Sequence, residues 1–515
     1  MKYVSCLFVS AWLLFSINGF ALDPNIPHVE GELIIKFKTQ ITSGEEDILK
    51  IFADQVGFHK LQAKLKKDDS LELLNSYAWA DIHHVRIRPG EDFDQVMGKI
   101  QGMEEVEYVE PNYIFSATFT TEAFEDAPSA QAFSSEQNRF SSAQALGAGQ
   151  NVTVAVIDTG VDYTHADIAS NMWINSGEVP GNGIDDDKNG YIDDINGWDF
   201  VNNDNDPYDD HYHGTHVSGI VLSLQNKARP VIKIMALKFL DYYGYGSTGD
   251  AINAIDYAVR NGAKILNNSW GGGFYSSALR DAIVATYNAN RVFAVAAGNS
   301  AVNIDQEPSY PPSYLIPNMI TVAALNSSDN LAWFSNYGPT GVHVGAPGVA
   351  IYSAVPKEQC SVPPCYKYLS GTSMATPYVA GVAAMMLSEQ PELMHLQVKK
   401  IIMDTSVSNA SLEGMIGKGS VEPSDAVTTA SNTTPDGNIP PYTPSSISDS
   451  IGLSASESAG MGCGALVDIT QGPKNGGGQG LTPTSGISLF LLSWPLLFVF
   501  FLRRQMRRKF VLSPF

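Results

Sequence analysis

The chain has 515 residues, 44% hydrophobic and 17% charged, with 32 Lys+Arg against 54 Asp+Glu and a formal net charge of -22. This composition excludes disorder over most of the chain, and the length allows two or three folded units. The acidic balance argues against nucleic acid as a partner, because phosphate binding needs a basic surface, and favours hard cations wherever the acids cluster.

The first element is a targeting segment. Tyr3 to Ile17 is an apolar run behind Lys2, followed by small or turn residues through Gly19 and Ala21; this predicts a signal peptide over 1–21 and export. Residues 22–115 predict a small α+β unit, with strands at Glu32–Lys38, Ile82–Ile87 and Val106–Val109 and helices at Glu45–Ala53 and Asp94–Met103. Residues 116–134, rich in Ser, Ala, Phe and Gln, read as a linker or processing region. Over 135–429 a longer α/β rhythm follows. Buried strands are expected at Val152–Ile157, Val231–Phe239, Ala263–Asn267, Val292–Ala297 and Met319–Ala324, separated by helices such as Asp250–Arg260 and Ala278–Asn288. That alternation predicts a mainly parallel sheet covered by helices on both faces. Residues 430–486 are a Ser/Pro/Gly-rich linker.

At the C-terminal end the uncharged run Ile487 to Leu502, which contains Pro495, is followed by Arg503, Arg504, Arg507, Arg508 and Lys509. It is shorter than a typical span of about 20 residues, but the basic cluster is a positive-inside signal. The reading is a transmembrane or sorting segment over 487–502 with a basic cytoplasmic tail at 503–515. Cys6 leaves with the signal peptide, and Cys463 stands alone between glycines. Cys360 and Cys365 flank a Pro-Pro turn and form either a small-loop disulfide, as an oxidising compartment favours, or two free thiols.

Three segments carry chemistry. In Val154-Ala155-Val156-Ile157-Asp158-Thr159-Gly160 an acid ends an apolar strand at the carboxyl edge, where α/β sheets place their sites. In His213-Gly214-Thr215-His216 a histidine opens a helix. A zinc site built from His213 and His216 is disfavoured, since zinc-protease helices use an i, i+4 pair with an intervening Glu. In Gly371-Thr372-Ser373-Met374-Ala375 a serine lies at a helix N-terminus, where free N–H groups favour developing negative charge. Singly, each segment is also explained as a turn or a cap.

Together, Asp158, His213 and Ser373 follow one of the chain orders of the serine-protease triad, and roughly Ser135 to Thr429 resembles the subtilisin-like serine proteases, or subtilases. The resemblance implies Ser373 as nucleophile, His213 as general base and then acid, and Asp158 as the group that orients the imidazole. Ala296-Ala297-Gly298-Asn299 matches the family's oxyanion segment, with Asn299 as side-chain donor beside the Ser373 backbone N–H. Leu240–Gly249 and Ser269-Trp270-Gly271-Gly272 match the strands that hold an extended protein or peptide substrate, so Gly246, Ser269, Trp270, Gly271 and Gly298 are expected to line the cleft. Trp270 stands where many family members have a smaller apolar residue, and an endopeptidase that tolerates apolar residues before the scissile bond is expected.

The N-terminal unit, through Gly31–Phe37 and Val106–Tyr113, resembles the inhibitor-type propeptides of this family. The implication is a zymogen whose own propeptide is an intramolecular inhibitor, cut between Phe115 and Leu146. Between the first two triad motifs, Asp185, Asp187, Asn189 and Gly190 have the spacing of the first half of an EF-hand loop. Position twelve is Asn196 rather than Glu, which leaves Asp193 or Asp194 to close the shell. The resemblance implies Ca2+ there, since subtilases with this style of acidic insertion commonly bind it. Asp167 matches a ligand of a second family calcium site, although the segment from Leu224 to Pro230 looks shortened. The tail resembles bacterial sorting signals around Gly462-Cys463-Gly464, implying a cell-envelope location. The competing function is a catalytically silent, calcium-binding surface protein of the same fold, which would usually have lost one of the four catalytic residues.

Overall fold

In the computed structural model the described residues are 26–38, 70–77, 79–118, 149–272 and 274–437. The signal segment, the helix expected at Glu45–Ala53, most of 116–134, the linker beyond 437 and everything C-terminal to it, with Cys6 and Cys463, lie outside them. Among the described residues no helix is long and apolar enough to cross a membrane.

The N-terminal unit contains β1 (His28–Phe37), β2 (Leu71–Tyr77), β3 (Ile82–Ile87), α1 (Phe93–Gln101) and β4 (Val106–Ala117). The strands pair antiparallel in the order β4-β1-β3-β2. Leu33, Ile35 and Phe37 pack with Val85, Val96, Met97 and Ile100 in the unit's own core. Ile34, Tyr77, Ile82 and Phe115 instead join a core cluster of the following domain. With both faces of the sheet buried, β1 needs no strict apolar–polar alternation, which explains the continuous Leu33-Ile34-Ile35 run. α1 begins at Asp92, whose carboxylate accepts from the Gln95 N–H at 2.8 Å as an N-cap. β4 does not stop at Val109, as expected from the sequence, but runs on to Ala117.

The larger domain contains β5 (Val152–Asp158), β6 (Gly197–Asp199), α2 (His213–Ser223), β7 (Ile232–Lys238), β8 (Tyr245–Ser247), α3 (Thr248–Arg260), β9 (Ile265–Asn268), β10 (Trp270–Gly271) and α4 (Ser277–Asn288). It continues with β11 (Val292–Ala296), β12 (Met319–Leu325), β13 (Val344–Pro347), β14 (Ile351–Val355), β15 (Cys365–Leu369), α5 (Thr372–Glu389), α6 (His395–Thr405) and α7 (Pro423–Ser431). Seven strands form one parallel sheet in the order β13-β12-β11-β9-β5-β7-β6. Along β5, Val154 and Val156 enter one core cluster and Ala155 and Ile157 the other, so a helical layer is buried on each face. The sheet is built outward in both directions from β5, and its carboxyl end is therefore the switch point where such folds open a crevice. α5 is buried nearly all round. Gly381 lets it approach α2, since a Cβ there would stand 2.9 Å from the Val221 carbonyl. In the turn of the β14–β15 hairpin, Cys360 and Cys365 are joined as a disulfide, with Cα atoms 5.7 Å apart.

Candidate active site

Asp158 ends β5, His213 opens α2 and Ser373 is the second residue of α5, and all three are buried. His213 Nδ1 donates to Asp158 Oδ1 at 2.7 Å, which also accepts from the Thr159 N–H at 2.7 Å. With its proton on Nδ1, the imidazole keeps the Nε2 lone pair for a proton acceptor's role. The start of α2 is pinned from below. Thr159 Oγ1 accepts from the Gly214 N–H and donates to Asp209, while Asp209 Oδ2 accepts from the Thr215 N–H and hydroxyl. Burial raises the Asp209 carboxyl to about 6 against the pull of those hydrogen bonds. Gly214 has to be glycine, because a Cβ would lie 2.1 Å from the Gly160 carbonyl oxygen. His216 faces the other way: its Nε2 donates to the carbonyls of Ile351 and Lys367 at 3.1 and 3.0 Å, and burial lowers it to about 3. It is a core histidine, not a metal partner of His213.

Asn299 follows β11. Its Oδ1 accepts from the Thr372 N–H at 2.9 Å and the Thr372 hydroxyl at 3.0 Å, and its Nδ2 is buried with no protein acceptor. Two donors on one side fix which end of the amide is oxygen, leaving the NH2 group as an unused donor. Gly298, expected from the sequence to line the cleft, forms the turn behind it. Its φ is +102°, its N–H donates to Thr372 Oγ1 at 3.1 Å, and a Cβ would stand 2.4 Å from Asn336 Nδ2.

The cleft holds the chain's own β4. Its end runs antiparallel between β8 and β10, with Phe115 opposite Gly246, Ser116 opposite both Tyr245 and Gly271, and Ala117 opposite Trp270. The Thr118 N–H donates to the Ser269 carbonyl at 3.2 Å. The Ser373 hydroxyl contacts the Thr118 carbonyl oxygen, and it also donates to the Ser269 carbonyl at 2.9 Å. Gly246, Ser269, Trp270 and Gly271 thus meet an extended segment as expected. The last described residue of this segment is Thr118. Phe115 is buried in a slot whose wall is Trp270, ring centroids 5.5 Å apart and edge-to-face, with Phe239 behind Trp270 at 4.8 Å. Gly272 makes room for it, since a Cβ there would lie 2.6 Å from Phe115 Cδ1.

In the acidic insertion, oxygens of Glu178, Asp187 and Asp194 lie within 4.8 Å of one another. Glu178, seven residues before Asp185, lies outside the EF-hand-like spacing. Among the residues within that spacing and its expected closure, Asp185 accepts from the Asn189 and Gly190 N–H groups, and Asp193 from those of Asn182 and Gly183. These two carboxylates shape turns, while Asn189 donates its side-chain amide to Asp187 and Asp194. Gly190 supplies the sharp turn, at φ +97°. Asp194 is fully buried, and burial together with the nearby Asp187 charge raises its carboxyl. Three converging carboxylates, held only by amides and the Tyr257 hydroxyl, suit a hard cation such as calcium. At the second expected calcium position, Asp167 instead pairs with Lys227 Nζ at 3.1 Å and accepts from the Tyr366 hydroxyl at 2.7 Å.

Residues 149–433 match the subtilase family. The chain is 32% identical to a thermophilic serine proteinase of Bacillus sp. (strain AK1), over 74% of this chain and 82% of that one. It is 36% identical to thermitase of Thermoactinomyces vulgaris, over 47% and 77% of the two chains. With subtilisin-like protease 1 of Plasmodium falciparum it shares 35% identity, over 51% of this chain and 41% of the relative's length. Among solved structures, fervidolysin from Fervidobacterium pennivorans, a keratinolytic enzyme related to subtilisin, superposes with a TM-score of 0.59 at 23% identity, covering 79% of this chain and 62% of that one.

Proposed function

The chain belongs to the subtilase family of serine endopeptidases, and on that premise we propose that it cleaves peptide bonds with Ser373 as nucleophile and releases itself from its N-terminal unit by cutting after Thr118. The observation that carries this reading is the Thr118 carbonyl against the Ser373 hydroxyl, at the end of a strand laid between β8 and β10. For attack, the hydroxyl leaves the Ser269 carbonyl and turns to His213 Nε2. Its proton passes to that nitrogen as Oγ bonds to the carbonyl carbon. The carbonyl electron pair moves onto oxygen, where Asn299 Nδ2 and the Ser373 N–H receive it. Collapse expels the amine, which takes the proton from His213, and water then repeats the sequence on the acyl-enzyme. Asp158 keeps the imidazole in the required tautomer and stabilises its charged form.

As a pseudo-substrate, the segment reads Phe115-Ser116-Ala117-Thr118. The preferred substrates are extended peptides with an aromatic residue three positions before the residue whose carbonyl is attacked, seated against Trp270. The fully buried Phe115 ring supports this. Calcium held by Glu178, Asp187 and Asp194 would cross-link the insertion and supply charge compensation, not chemistry. The signal-like segment 1–21, the apolar run 487–502 and its basic tail support an exported zymogen, anchored in or sorted to the cell envelope, and the Cys360–Cys365 disulfide agrees with an oxidising compartment.

Intact-mass analysis of purified wild type and Ser373→Ala tests this. Wild type is expected to yield a fragment beginning at Phe119, and Ser373→Ala to keep the Thr118–Phe119 bond. Cleavage of that bond in Ser373→Ala at the wild-type rate would overturn the mechanism.

A further inference from the structure

Away from the cleft, Lys399 on α6 and His343, just before β13, meet through their nitrogens at 2.8 Å, Nζ to Nε2. His343 is tied twice to Thr321 on β12, once through its backbone and once through its imidazole. The His343 backbone N–H donates to the Thr321 carbonyl at 3.0 Å, and the Thr321 N–H donates to His343 Nδ1 at 2.9 Å. A backbone N–H has only a proton to offer, so Nδ1 carries none. A neutral imidazole then has its proton on Nε2, aimed at the lysine. An ammonium has three protons and no lone pair, so it cannot accept that proton. Were Lys399 charged, two donors would face each other at 2.8 Å.

We propose that His343 holds Lys399 as an uncharged amine and that Lys399 is the chain's preferred site of acylation by carbonyl electrophiles. The surroundings agree. Among the described residues no carboxylate lies within ion-pair distance of Lys399; the acid on its own helix, Asp404, pairs with Lys400. One turn earlier, His395 donates Nε2–H to the Tyr287 carbonyl at 2.9 Å and is itself neutral, burial lowering it to about 4. Burial lowers the Lys399 amine to about 7, from the ordinary 10.5, and lowers His343 well below its usual range. Lys399 is nevertheless only partly buried, so a small electrophile has an approach.

In the reaction the Nζ lone pair forms the new N–C bond as the leaving group departs with its electron pair. One Nζ proton passes to solvent, and the new amide oxygen can accept the His343 Nε2–H in place of the lost lone pair. At pH 7 an ordinary lysine is unprotonated in only about one molecule in a few thousand, so an amine already neutral has a large head start.

The test is trace labelling of the folded full-length chain with acetic anhydride at pH 7, followed by digestion and mass-spectrometric quantification at each lysine. Lys399 is expected to be acetylated at least about tenfold faster than exposed Lys400, with the advantage disappearing near pH 11, where ordinary lysines are neutral as well. Labelling of Lys399 no faster than Lys400 at pH 7 overturns the proposal, whether the cause is charge or lack of access. In His343→Gln, whose side-chain oxygen can accept from an ammonium, the advantage should fall. If it persists undiminished in a variant of unchanged melting temperature, His343 is not what keeps the amine neutral.

Discussion

Glu110 of the N-terminal unit accepts from the Ser276 hydroxyl at 2.5 Å, and its two oxygens also accept from the Ser277 and Ala278 N–H groups at 2.8 and 3.2 Å. Those groups form the N-terminus of α4, whose free donors and dipole favour an acceptor there. The unit therefore docks by capping a helix of the enzyme it covers. Asn112 does the same for α3 through the Gly249 N–H at 2.9 Å. Glu110→Ala should weaken retention of the cleaved N-terminal unit by about ten- to a hundredfold, the equivalent of roughly 1.5–3 kcal/mol for the buried helix donors it leaves unpaired. Activity appearing on dilution of the cleaved complex measures it.

The same carboxyl gives a pH dependence of definite sign. Burial lifts Glu110 to about 7 against its three donors, from an ordinary 4.5. Between those values the docked unit holds a proton that the free unit has released. Retention is thus fully supported below pH 4.5 and is lost as pH rises through about 7, by at most about tenfold per pH unit. Co-elution of the cleaved unit with the wild-type enzyme on size-exclusion chromatography, followed from pH 5 to 8, should show this slope, and Glu110→Gln should flatten it. A wild-type profile rising with pH would contradict the assignment.

At the oxyanion position, Asn299→Ala should lower kcat by about 10²–10³ with little change in KM, the size of loss known for such a donor in subtilisin-type enzymes. A comparable loss in KM alone would mean that Asn299 holds the ground state instead.

Calcium should stabilise the fold. Chelation is expected to lower Tm by roughly 5–10 °C, taking about 2.7 kcal/mol for a site at a hundredfold saturation and about 2–4 °C per kcal/mol for a domain of this size. Asp187→Asn should make Tm insensitive to chelator. A wild type equally stable with and without chelator would exclude the site.

For the aromatic slot, peptides ending in Phe-Ser-Ala-Thr before the scissile bond should be cleaved at least about tenfold faster, by kcat/KM, than their Ala-Ser-Ala-Thr counterparts. Trp270→Ala should narrow that ratio without abolishing turnover of the Ala peptide. Equal rates for both peptides in wild type would remove Phe115 as a guide to preference.

Much of the candidate site was legible along the chain because its parts are local. An apolar strand ending in Asp158, a helix opening at His213 and another carrying Ser373 at its first turn each place their side chain by short-range geometry. The order of strands and helices was enough to anticipate a parallel sheet. Other features were legible only in part. The acids of the insertion pointed to a candidate cation-binding loop, but which of them converge depends on the fold of the whole loop. Asp185 and Asp193 are spent on nearby amides, while Glu178 comes in from outside the recognisable spacing.

By itself the sequence determined the fold class and singled out Asp158, His213, Ser373 and Asn299 as candidates, since side-chain chemistry and strand or helix ends are set within a few residues. Only the tertiary structure decided that β4 continues into the cleft, that Thr372 sets the orientation of Asn299, and that Lys399 meets a histidine whose proton points at it. Each of these is a contact between residues 50 or more apart, made by packing and by the need to pair every buried donor and acceptor, and no local pattern encodes it.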